Sequence, residues 1–129
     1  MVQEVKKEEA KRYLKKAESF YTAALDEFGK SRYDVVIFDA SQAIILANDA
    51  LCIALLGERP SKDHREAVQL HIQASAGKEN KREIISNALE MRSEYGYTEK
   101  SAKEQDARSM LIRAKRFFDW VKERIGYEE

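Results

Sequence analysis

The chain has 129 residues, with 23 basic and 23 acidic side chains and a formal net charge of zero. That length suits one domain, 1–129, built on one core. The charge balance excludes nucleic-acid binding through bulk charge, which needs a basic surface to neutralise phosphates; it argues against DNA as a partner but leaves room for a local basic site.

The first sixteen residues, MVQEVKKEEAKRYLKK, are charged and lack an apolar core, so no signal peptide is expected. From there an amphipathic pattern runs over 5–28. Ala10, Tyr13, Leu14, Ala17, Phe20, Tyr21, Ala24 and Phe28 follow the three-four spacing of one buried helical stripe. The second predicted helix, 33–56, holds the most informative stretch. Residues 35–56 contain no Lys or Arg in a chain that is 36% charged, and their only charges are Asp39 and Asp49. A helix apolar nearly all round is surrounded by neighbours, so this segment is expected to be the central rod. Its length would allow it to cross a membrane. Asp39, Gln42, Asn48 and Asp49 argue against that, because a mid-membrane Asp costs about 2.5–3.5 kcal/mol. Cys52, the only cysteine, excludes an intramolecular disulfide and fits the cytoplasm.

Three further helices are predicted: a short one over 62–76, then 81–95 with Ile84, Ile85, Ala88 and Leu89 inward, and 101–125. The last carries the stripe Ala107, Met110, Leu111, Ala114, Phe117, Phe118, Val121 and Ile125. All five glycines, Gly29, Gly57, Gly77, Gly96 and Gly126, read as helix stops. Asp63 with Glu66, Asn80 with Glu83, and Ser101 with Glu104 read as capping pairs. Pro60 falls in the loop 57–61, where it breaks no helix. No segment alternates with period two, so no sheet is expected. The fold class is therefore all-α, an up-and-down antiparallel bundle of four long helices plus one short helix.

The polar residues of the central helix admit three readings. Asp34, Ser41 and Asn48 recur every seven residues, as do Gln42 and Asp49, so each set shares a face. They form a solvent edge, the seam of a homodimer involving Ser41, Ile45, Asn48 and Asp49, or the wall of a ligand cleft. His64 opens a helix after the proline loop, where an imidazole near its ordinary pKa suits acid–base work or a helix-cap role. His71 lies on an apolar face and reads as a core histidine or, with Arg65, as half of an R-x5-H pair. Six residues turn about 120° on a helix, so those two do not converge without a kink. Arg92 sits on the inward half of its helix near the C-terminus, suited to its own last carbonyls or to a phosphate. The two histidines are too far apart for one metal, and no metal or cofactor is expected.

These residues resemble the HEPN domains. The match starts at Tyr33-Asp34, continues through Phe38-Asp39-Ala40-Ser41-Gln42-Ala43, and closes with Gly57-x-x-Pro60 and His64. Downstream it takes in Arg92, Tyr95 and Tyr97, then a last helix ending in Phe117, Phe118 and Trp120. The resemblance implies a helical bundle, often dimeric, often partnered with a minimal nucleotidyltransferase and in some cases part of a toxin–antitoxin pair. Some members are metal-independent ribonucleases in which an arginine holds the phosphate and a histidine four to six residues on moves protons. Counting from Arg92, the histidine window holds Tyr97, Thr98 and Glu99 instead. The reading is therefore a non-catalytic, cytoplasmic binding module for a nucleotide or RNA-like ligand, with Asp39, Gln42, His64 and Arg92 as its ligand residues. A ribonuclease drawing on Arg65, His71, Arg92 and His64 is the alternative, and a purely structural adaptor the third.

Overall fold

The computed structural model describes residues 2–60 and 63–126. Five helices form: α1 (Ala10–Gly29), α2 (Tyr33–Leu56), α3 (His64–Ser75), α4 (Arg82–Tyr97) and α5 (Glu104–Ile125). The fold is all-α, as the periodicities require. The expected start of the third helix at Lys62 lies outside the described residues.

α2 is the hub. It packs on every other helix, and α1, α4 and α5 touch it far more than they touch one another. Its most apolar window is 78% buried within the bundle, which accounts for a helix long and apolar enough to cross a membrane. Val36, Ala40, Ala47, Ala50 and Ile53 are fully enclosed. The alanines let neighbouring helices approach closely, and Leu14, Ile85, Phe117 and Val121 fill the space between them. Chain neighbours α1 and α2 run antiparallel, with Phe28 against Tyr33 at their junction. α5 instead runs parallel to α2. Tyr33 Oη donates to Glu104 at the start of both helices (3.0 Å), while Ala54 and Ile125 share a hollow at their ends.

Three expectations are corrected. A sheet does exist, though minimal: β1 (Gln3–Glu4) pairs antiparallel with β2 (Glu58–Arg59), and the Val5 N–H donates to the Gly57 carbonyl. Two residues per strand are too few to show alternation. This ribbon and a 3-10 turn over Lys7–Glu9 also take up the first predicted turn of α1.

The second correction concerns glycines. Gly57 and Gly126 do cap α2 and α5 in the left-handed region, and Gly77 has a positive φ just after α3. Gly29 is the last residue of α1, and the left-handed position falls on Ser31. Gly96 lies inside α4, where a Cβ would sit 2.5 Å from the Phe38 ring. The glycine there serves helix–helix approach and ends nothing. Gly96→Ala is expected to lose about 1 kcal/mol in urea unfolding, since overpacking outweighs the gain in helix propensity. With Phe38→Ala already in place, the same change should stabilise by a similar amount.

The third concerns caps. Asp63 caps α3, accepting from the Arg65 N–H at 2.9 Å, whereas Asn80 accepts from the Arg82 N–H at 3.2 Å from one residue before the α4 cap position, Lys81. At α5 the pair is shifted: Asp106 accepts from the Lys103 N–H, and Glu104 is used by Tyr33. Asp34 accepts from the Ala102 N–H at 2.6 Å, tying the start of α2 to the turn before α5.

Candidate functional site: a guanidinium-lined crevice beside the central helix

A crevice of about 380 Å³ opens between α2, α4, Pro60 and the start of α3. Besides Gln3 of β1, Asn48 of α2 and Asp63 at the start of α3, its polar groups come from three elements. α2 gives Gln42 and Asp49, which share a helix face. β2 gives Arg59, and α4 gives Arg92. Ile45, Ile85 and Leu89 provide apolar wall. A concave site with apolar sides and a few converging polar groups is the usual form of a small-ligand pocket.

Arg92 reaches across to α2, where its Nη1 donates to Gln42 Oε1 at 3.2 Å. Its Nε is buried and has no partner. A buried donor left unpaired is costly, so this one is primed for an acceptor. Asp49 lies at the floor, 4% exposed, with Oδ2 3.3 Å from Arg59 Nε. Burial raises its carboxyl to about pKa 6, although Arg59 and Arg92 both act to lower it. Arg59 also stacks over the Tyr13 ring at 5.1 Å. One face and one edge of this guanidinium are thus fixed while the residue lines the crevice.

The two histidines lie elsewhere. His71 is fully buried, and its Nε2 accepts from the Lys81 N–H at 2.7 Å. Since a backbone N–H can only donate, the ring proton sits on Nδ1, which donates to Asn48 Oδ1 at 2.9 Å. Burial, and then the charge of Arg124, push this histidine down to about pKa 4. Phe117 and Trp120 pack around the ring. His71 is thereby a neutral structural strut joining α2, α3 and the start of α4. His64 is exposed and its Nε2 lies 3.1 Å from Ser86 Oγ on α4. Ser86 precedes Arg92 by six residues on α4, a rise of about 9 Å along the helix axis.

Of the ligand residues expected from the sequence, the crevice brings together Gln42 and Arg92. His64 stands at the opening turn of α3, beside the crevice-lining Asp63. Asp39 is half-buried and does not line the crevice; burial first, and then Glu27, raise its pKa. Arg65 is exposed on α3 while His71 points inward, so that pair is not assembled. Of the residues expected at a dimer seam, Ser41, Asn48 and Asp49 are covered by their own chain, and Ile45 is a crevice wall, so these residues offer no flat face to a second copy. Arg59 was not anticipated. Its only sequence signal is a cation placed between the α2 stop and Pro60.

Among the described residues, no group of three His, Cys, Asp or Glu side chains is placed to hold a metal ion. Fold and crevice together define a helical bundle of four long helices and one short one, with a two-arginine hollow against its central rod. Residues 10–124 match the HEPN domain model, and the chain belongs to that family. No curated protein matches it.

Proposed function

We propose that this HEPN domain is a non-catalytic binding module that holds a phosphate-bearing, nucleotide-like ligand in the Arg92 crevice, acting beside a partner protein of the minimal nucleotidyltransferase kind. The observation that carries this reading is the Arg92 side chain itself. One nitrogen is fixed by Gln42 and another is buried without an acceptor at the wall of a hollow large enough for a nucleotide. A guanidinium held in this way suits a phosphate oxygen, because its fork matches two oxygens at once. Arg59, on another wall, adds a second guanidinium to the same hollow, held there by Asp49.

The non-catalytic part rests on the histidines. Metal-free cleavage of RNA needs a group that takes a proton from the 2′-hydroxyl beside the arginine-held phosphate. His71 spends both nitrogens on Asn48 and Lys81, and His64 faces Ser86. Incubation of the purified protein with RNA in EDTA is expected to leave the RNA intact. Equilibrium titration is expected to show binding of a 5′-nucleoside monophosphate. Cleavage that disappears in His64→Ala or His71→Ala would defeat the non-catalytic reading and install the ribonuclease alternative.

A further inference from the structure

α1 and α5 each pack on α2 but barely on each other, and between them an open groove of about 450 Å³ remains. Phe28 is part of its floor, and Leu25 and Ile112 stand at its lips, 46% and 47% exposed. Large aliphatic side chains this exposed, facing one another across two helices, form an apolar strip that nothing among the described residues covers.

The charge along this strip has one sign. The groove is lined by Arg108, Lys115 and Arg116 and by no acid. Arg108 pairs with Glu104 and Lys115 with Asp119, but in both pairs each partner is more than half exposed. Such pairs hold their cations weakly, so an incoming carboxylate can replace either acid. The Arg108 guanidinium is already set over the Phe28 ring at 5.0 Å, at one end of the groove.

We infer that the groove between α1 and α5 seats an acidic amphipathic helix of a partner protein. Arg108 to Arg116 spans about 12 Å, two helical turns, which matches apolar anchors at i, i+3 or i+4, and i+7 on the incoming helix. Carboxylates flanking those anchors would meet the three cations. A second copy of this chain fits poorly. Two α5 helices crossing antiparallel at Ile112 would set Arg108 of each against Arg116 of the other, and like charges opposed in this way repel. The inference is independent of the crevice, with which the groove shares no residue.

The test uses a labelled helical peptide of about 18 residues with leucines on one stripe and glutamates beside it, and a matched peptide with lysines in place of the glutamates. Fluorescence anisotropy with the full chain should give a Kd on the order of 100 µM for the acidic peptide, the range open to so small an interface. Leu25→Asp and Ile112→Asp, both at exposed positions that leave the core untouched, should weaken it at least tenfold. Arg116→Glu should weaken the acidic peptide and strengthen the lysine one. Equal binding of both peptides, no binding of either, or indifference to Arg116→Glu would overturn the proposal. So would a dimer in sedimentation that Ile112→Asp dissolves, which would name a second copy as the occupant. Capture by phosphatidylglycerol vesicles without capture of the peptide would name a membrane surface instead and overturn it equally.

Discussion

Replacing Arg92 with alanine is expected to weaken binding of a 5′-nucleoside monophosphate at least tenfold while leaving the bundle folded. A hydrogen bond to a charged group contributes about 1.5–3 kcal/mol, and each 1.4 kcal/mol is a tenfold change in affinity. Losing a guanidinium that meets a phosphate through two nitrogens belongs at the upper end of that range. The effect on stability should be small. The substitution removes one bond to Gln42, but it also removes a buried Nε that has no acceptor in the free protein. These two changes oppose each other. Arg92→Lys keeps the charge and loses the fork, and should recover only a fraction of the affinity. Calorimetric titration measures the affinity and thermal unfolding the stability. Unchanged affinity in Arg92→Ala would refute the crevice as the phosphate site.

His71→Ala is expected to cost about 3–5 kcal/mol at pH 7, the penalty for a cavity plus two stranded polar groups. At roughly 2–4 °C per kcal/mol, that is a fall in Tm of about 6–20 °C. The two groups are Asn48 Oδ1, left with only the weak Cys52 thiol donor, and the Lys81 N–H, and Phe117 and Trp120 would face the cavity. The cost should shrink on acidification. In the folded chain His71 titrates near pKa 4, well below its ordinary 6.5. Below about pH 6.5 the unfolded chain takes up a proton that the folded chain refuses. The stability associated with the neutral ring is therefore whole above pH 6.5 and drains away as the pH falls to 4, a loss on the order of 3 kcal/mol.

Asp49 works in the opposite direction. Its folded pKa of about 6 lies above the ordinary 3.8, so the folded chain takes up its proton first and gains stability as the pH falls through 6. Between about pH 6 and 4 the two groups nearly cancel in the wild type. Both proteins contain Asp49, so the difference between wild type and His71→Ala isolates the histidine. Urea unfolding at a series of pH values should show that difference narrowing from pH 7 to 4. Parallel profiles would mean that the ring is not held neutral by the core.

The helices were legible because their causes are local. A run of 22 residues without Lys or Arg, and with only two acids, reads as enclosed in a highly charged chain, and α2 is. The stripe from Ala107 to Ile125 faces inward as its spacing requires. Arg92 was legible as an inward cation near a helix end, although it reaches Gln42 on another helix and not its own carbonyls. What could not be read depends on contacts between distant segments. Asn48 and His71 are 23 residues apart, and nothing in either helix alone shows that one accepts the other's proton. Gly96 looks like a stop until the Phe38 ring is seen resting where a side chain would be. Arg59 enters the crevice only because the two-residue ribbon carries it there, and a ribbon so short leaves no pattern in the letters.

The central helix separates the crevice from the groove. The crevice belongs to the flank that α2 shares with α4, and the groove to the flank where α1 meets α5. A bound nucleotide and a docked helix would therefore not compete for space. Any influence of one on the other would have to be transmitted through an alanine-rich shaft with no slack, so double occupancy should be nearly additive unless the shaft itself shifts.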